Sequence, residues 1–228
     1  MRQIIFDTET TGFYHQNDDR IVEIGAVEVK NFVPTGKTFH KYVNPENKIM
    51  SEEVINVHGL SNEFLKDKPK FSEIAQEFLD FVGDSELVAH NSRFDEQFIN
   101  MELIKAGFEA IEKSRFVDTL DIAKRKFPGA KNNLDALCSR FNIDNSHRTK
   151  HGALLDAELL AEVYLELVGG AQADFMLDDN KKVSSHNSSH HKKEIPSRHF
   201  PLTKEEENAH KEFLEGNASL VWNSLPTS

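Results

Sequence analysis

Three short stretches near the N-terminus, QIIFD, IVEIGAVEV and FHKYVNP, are rich in β-branched and aromatic residues. Runs of this length and composition predict strands, and three of them close in sequence predict an antiparallel meander. From residue 70 the period changes. KFSEIAQEFLDFVG places Phe71, Ile74, Ala75, Phe78, Leu79 and Val82 at helical spacing, with Gly83 as the stop. A strand, ELVAHN, follows; then come a helix DEQFINMELIKAG, a short strand RFVD, a helix up to Pro128, a helix in NNLDALCSRF and a long helix GALLDAELLAEVYLELV. Helices and strands that alternate after a meander predict an α/β fold, a mixed sheet with helices on both faces.

The pattern stops at Gly169-Gly170. Residues 178–198, DDNKKVSSHNSSHHKKEIPSR, are polar and nearly free of aliphatic side chains, too little apolar surface to offset the entropy of ordering, so they read as a flexible linker. Five of the 11 histidines fall at 186 or later, but without regular ligand spacing the solvated linker is preferred to a metal-binding tract. Beyond it, Thr203 and Glu206 have capping-box spacing, and Leu220, Val221 and Trp222 form a terminal apolar cluster, together the outline of a peptide that folds on a partner.

Charge adds a constraint. Of the net −11, residues 1–168 carry 20 basic against 29 acidic side chains, and 169–228 carry 7 against 9. Neither part is a basic platform for nucleic acid, so a polyanionic substrate would require bound cations or another subunit. The single cysteine, Cys138, stands at helical spacing with Leu134, Leu137 and Phe141 and reads as a small core residue; no disulfide or thiolate metal site is available. No apolar run approaches the ~18–20 residues of a membrane span, and MRQIIFDTE lacks the features of a signal peptide, which makes the cytoplasm the expected compartment and excludes a membrane partner.

Candidate chemistry begins in IIFDTETTG. Alternate strand residues share a face, so Asp7 and Glu9 would point into one small volume if the strand persists that far. Such a pair suits a hard cation, but taken alone two solvated acids at a strand end are the preferred reading. HNSRFD places Asp95 in the first turn of a helix, where the helix dipole alone would favour an acid. HGALLDA puts His151 just before a helix and Asp156 inside it, beside the apolar stripe Leu155, Leu159 and Val163 and away from the solvated acids Glu158, Glu162 and Glu166.

Jointly, FDTETTG, HNSRFD and HGALLDA stand in the order and context of three exonuclease motifs. The chain resembles the DEDDh 3′→5′ exonucleases over about residues 1–168, with Asp7, Glu9, Asp95 and Asp156 as the four acids and His151 as the final histidine. FHKYVNP, VHGLSNEFLKDKPKFSEIAQEF and NNLDALCSRF further resemble the proofreading epsilon subunits of bacterial DNA polymerase III. The resemblance implies a ribonuclease-H-like mixed five-stranded sheet flanked by helices. It also implies two divalent metal ions, Mg²⁺ or Mn²⁺, with Asp7, Glu9 and Asp156 as direct ligands, Asp95 acting through water or at the second ion, and His151 as proton acceptor. Glu53 and His58 would touch the terminal nucleotide, together with the metal-holding Asp7, Glu9 and Asp156. Implied partners are DNA 3′ ends, the polymerase III alpha subunit, a sliding clamp and a small theta-like subunit.

On this reading residues 1–170 form the exonuclease domain, 171–200 a linker and 201–228 a polymerase-binding peptide. Within AQADFML, Gln172, Phe175, Met176 and Leu177 loosely resemble a clamp-binding peptide, a pattern that the end of the preceding helix would also explain. Two rivals remain open: an RNA 3′ exonuclease of the ribonuclease T or oligoribonuclease type, and a catalytically silent scaffold. The linker and terminal peptide argue against the first, and four intact, mutually repelling acids against the second.

Overall fold

The computed structural model describes residues 1–14, 18–148, 150–169 and 203–216. The N-terminal runs form β1 (Arg2–Thr10), β2 (Ile21–Lys30) and β3 (Val33–Tyr42), paired as an antiparallel meander. β1 outlasts the apolar run that predicts it, continuing through Asp7 and Glu9 because its ladder to β2 stays in register until a shift between Glu9 and Thr10. β4 (Glu86–Ala89) and β5 (Phe116–Asp118) add in parallel on the other side of β1, giving the five-stranded order β3-β2-β1-β4-β5. The sheet grows in opposite directions from β1 and β4. The crevice at the carboxyl ends of such strands is where open α/β sheets bind ligands.

Short helices α1 (Glu52–His58) and α2 (Asn62–Leu65) follow β3, and neither is visible in the sequence pattern. Seven and four residues are too few to display a helical repeat. What starts them is local: Ser51 Oγ accepts from Val54 N–H and Ser61 Oγ from Phe64 N–H, each satisfying an otherwise unpaired first-turn donor. The remaining helices are α3 (Phe71–Val82), α4 (Ser92–Lys105), α5 (Thr119–Lys126), α6 (Leu134–Phe141) and α7 (Ala153–Leu167), as the periodicity predicts.

The alternation along β1 divides the core. Ile4 and Phe6 face one way, into a cluster with Phe71, Phe78, Phe98 and Leu103 of α3 and α4. Ile5 faces the other way, with Val27, Val88, Leu137, Leu160 and Cys138 among α6, α7 and the sheet. Cys138 is fully buried, the small core residue expected.

Gly25 determines how closely α7 approaches. It pairs with Asp7 across β1 and β2, and a Cβ there would lie 2.1 Å from Leu154 N and 2.2 Å from the Ala153 carbonyl carbon. These are backbone atoms and cannot rotate aside, so the start of α7 sits on bare glycine. Gly25→Ala is expected to lift this end of α7 from the sheet, lowering stability by about 2–3 kcal/mol in urea unfolding, with a larger proportional loss of activity. A fully active, equally stable variant would show that the close approach is dispensable.

A second unit, within Asp178–Ser228, contains α8 (Lys204–Gly216). The expected capping box is formed there: Glu206 N–H donates to Thr203 Oγ1 at 3.3 Å, and Thr203 N–H donates to the Glu206 carboxylate at 2.9 Å. The proposed linker, the 172–177 segment and the cluster at Leu220, Val221 and Trp222 lie outside the described residues. Among the described residues no helix is long and apolar enough to cross a membrane.

Candidate active site

Asp7 and Glu9 project from the β1 face that meets α7, and the descent of α7 onto Gly25 brings Asp156, in its first turn, over them. Asp95 arrives from the opposite layer, in the first turn of α4. Thr8, which points to that other side of β1, donates its hydroxyl to Asp95 Oδ1 at 2.7 Å. The two helix layers thus meet at the end of one strand. Asp7, Glu9, Asp95, His151 and Asp156 line a single cavity of about 340 Å³ together with Arg148.

The electrostatics are those of acids gathered without enough positive charge. Burial pushes Asp7 well above the usual carboxylate range, and the neighbouring Asp95, Glu9 and Asp156 charges push it further, against the charge of Arg148. Burial and then the charges of Asp156, Glu23 and Asp95 raise Glu9 to about 8. Glu23 contributes because it stands directly opposite Glu9 in the β1–β2 register, where it is paired to His40 Nε2 at 2.7 Å. Asp95 is raised to about 7 by burial, against hydrogen bonds from Thr8 and the backbone that favour its ionised form. Asp156 differs: burial pushes it up, but the Arg148 guanidinium, hydrogen-bonded to both of its oxygens, outweighs that and holds it low.

These residues fit a divalent cation. Glu9, His151 and Asp156 each offer one ligand atom, all within 4.8 Å of one another. Oxygen donors with an imidazole, whose mutual repulsion a cation would relieve, are the donor set for Mg²⁺ or Mn²⁺.

The two expected nucleotide contacts lie on α1, outside that cavity lining. α1 is nevertheless fastened to the site, because His151 N–H donates to Val57 O at 3.2 Å and the Lys150 side chain packs on Gly59. Glu53 is exposed on this helix. His58 is buried, and its Nδ1 accepts from Leu60 N–H at 3.1 Å. Its Nε2 then carries the proton of the neutral ring, a buried donor with no partner among the described residues. Burial also lowers the His58 pKa.

Sequence reasoning missed Arg148. Its Nε and Nη2 donate to the two Asp156 oxygens at 2.5 and 2.7 Å, Nη2 also meets His151 Nδ1 at 2.7 Å, and Nη1 donates to Asp135 Oδ1 at 2.8 Å. An arginine three residues before the motif histidine was the available signal. Its importance shows only once the segment between α6 and α7 folds back on the site.

The sequence model of the Exonuclease family matches residues 4–164. A DNA polymerase III subunit epsilon from Rickettsia felis is 50% identical over 221 residues, covering 94% of this chain and 96% of that protein. The protein of the same description from Escherichia coli K12 is 48% identical over 176 residues, covering 74% of this chain and 72% of its own length. Among solved structures, exonuclease X in complex with 5′-overhanging duplex DNA superposes with a TM-score of 0.58 at 24% identity, covering 73% of this chain and 90% of its own. The nuclease domain of 3′hExo, a DEDDh family member bound to rAMP, superposes with a TM-score of 0.64 at 18% identity, covering 73% and 91%. At these identities the structures show a shared fold, the ribonuclease-H-like sheet expected.

Proposed function

We propose a mechanism and a setting for this chain from one premise: it belongs to the Exonuclease family and is a 3′→5′ exonuclease that groups with the DNA polymerase III epsilon subunits. Its substrate is the 3′ end of DNA, mismatched ends included, and its product a nucleoside 5′-monophosphate. The observation that supports this best is the convergence of four carboxylates and His151 on one cavity at the end of β1.

The family is metal-dependent, and here Asp7, Glu9 and Asp156 would hold two divalent cations, Mg²⁺ or Mn²⁺, with Asp95 at the second or acting through water. Bound ions supply charge neutralisation at the phosphate and a more acidic attacking water. The chain's own side chains do the rest. His151, with half of its side-chain surface exposed, takes the proton of the attacking water. Buried, neutral His58 donates its Nε2 proton to the terminal nucleotide, and Glu53 accepts from the sugar 3′-hydroxyl; the orphaned His58 donor is what supports this placement. Thr8 favours the ionised form of Asp95 and holds its carboxylate in place at the cavity.

A domain with net charge −9 binds DNA weakly by itself, so the chain works tethered to the polymerase alpha subunit, in the cytoplasm at the replication fork. Residues 201–228, including α8, form the tether; 171–177 touches a sliding clamp and a small theta-like subunit completes the assembly. The test is a 3′-mismatched primer, with and without the polymerase subunit. Mononucleotide release from the mismatched end, stimulated by the polymerase, is expected for the full chain. A chain ending at Gly170 should degrade single-stranded DNA at the full rate but fail to co-elute with the polymerase. Preference for RNA over matched DNA would overturn the substrate assignment, and unchanged co-elution would overturn the tether.

A further inference from the structure

Every polar atom at the head of the Arg148 side chain is engaged in the site. Two of its nitrogens grip both oxygens of Asp156, the strongest geometry a guanidinium and a carboxylate adopt. Its side chain is 8% exposed and that of Asp156 4%, so water screens the pair little. Nη2 also points at His151 Nδ1. The guanidinium is always a donor, so this ring nitrogen must be the acceptor, and in the neutral imidazole the proton then sits on Nε2. A ring held this way has no free lone pair with which to take a proton from water. Two of the three residues whose ligand atoms cluster, His151 and Asp156, are therefore engaged by one cation that belongs to the chain.

We infer that Arg148 is a resident counter-ion: its guanidinium stands in for a divalent cation at Asp156, keeps His151 inactive as a base, and must move away before the site can be loaded. The inference rests on the metal site proposed above. A guanidinium within 2.7 Å of both Asp156 oxygens repels any dication that approaches the same carboxylate. The route of departure is also present. Nη1 already bonds Asp135, whose side chain is 53% exposed at the cavity edge, so the arginine keeps a carboxylate partner after it releases Asp156. Rotation about side-chain bonds suffices, and the Arg148 N–H can stay on Asn145 O at 3.0 Å.

Two consequences follow for the protein. Apparent metal affinity is lower than the carboxylates would allow, by the fraction of molecules in which Arg148 has left. Departure of the arginine also frees His151 Nδ1 at the moment of loading, so a site without metal cannot activate water. Arg148 is a positioning residue, acting through Asp156 and His151 and not on the substrate.

The test is Mn²⁺ titration by calorimetry on the full chain, comparing wild type with Arg148→Gln and Arg148→Lys. Arg148→Gln should bind Mn²⁺ about tenfold more tightly. Its metal-free form should melt below wild type, with the gap closing at saturating Mn²⁺, because Asp156 loses its partner only when no metal is present. Arg148→Lys, which keeps a cation for Asp156 but cannot span both oxygens and His151, should bind with intermediate affinity and serves if the glutamine variant does not fold without metal. In ¹⁵N spectra of the metal-free wild type His151 should carry its proton on Nε2. Unchanged or weaker Mn²⁺ affinity in the variants, with wild-type binding measurable, overturns the counter-ion role and leaves the metal site standing. No Mn²⁺ binding by any of the three proteins overturns both.

Discussion

Asp7→Asn is expected to stabilise the metal-free protein while removing its activity. Asp7 sits among Glu9, Asp95 and Asp156, with burial and those charges all opposing its ionisation. An amide of the same shape keeps the packing and relieves the repulsion. A relief of ~1–2 kcal/mol corresponds to a rise of about 2–8 °C in the metal-free Tm for a domain of this size. Activity on single-stranded DNA should fall about 10³-fold or more, some 4 kcal/mol of transition-state stabilisation. Residual activity near wild type in pure protein would remove Asp7 from the site.

The same crowding sets the pH dependence. Glu9, at about 8, and Asp95, at about 7, lie above their unfolded values, so the folded state binds their protons more tightly than the unfolded chain does. Their contribution to stability is complete below the ordinary carboxylate range and is lost as pH rises through about 7–8. The metal-free protein should therefore melt lower at pH 8 than at pH 6. Mg²⁺, which need not compete with protons at the higher pH, should raise Tm more at pH 8. Melting curves at the two pH values, with and without Mg²⁺, check both signs; a larger Mg²⁺ effect at pH 6 would contradict them.

His151→Ala separates two roles that the geometry leaves side by side, since His151 Nδ1 lies 3.3 Å from Asp156 Oδ2 and a ring nitrogen lies within 4.8 Å of a Glu9 carboxylate oxygen. A proton acceptor should cost about 10²–10⁴ in single-turnover rate when removed, with Mn²⁺ affinity changed only a few-fold. A ligand would lose affinity and rate together. The expected result is the first, because His151 is half exposed on the water side of the site while Glu9 and Asp156 are buried. Retained rate, or parallel loss of affinity, would exclude the base role.

Much of this site is legible in one dimension because its parts are local. Asp7 and Glu9 share a face through the two-residue period of a strand, and Asp95 and Asp156 each stand in a helical first turn. α3, α4 and α7 run 12, 14 and 15 residues, long enough for their apolar stripes to show. α1 and α2 do not show, because a helix started by a serine cap and held by tertiary contacts need not repeat any pattern.

The set of elements, the acids that share each element's face, and the family that has those acids in that order are thus legible along the chain. Strand pairing, which puts Glu23 opposite Glu9, and the approach of α7 onto Gly25 were decided only by tertiary structure. So were the arrival of Asp95 from the layer opposite Asp156 and the insertion of Arg148 between Asp156 and His151. The difference is one of range: periodicity and capping act over a few residues, whereas charge and desolvation depend on distance in space. Residues as far apart as Glu9 and Asp156 alter one another's protonation only when the fold brings them together.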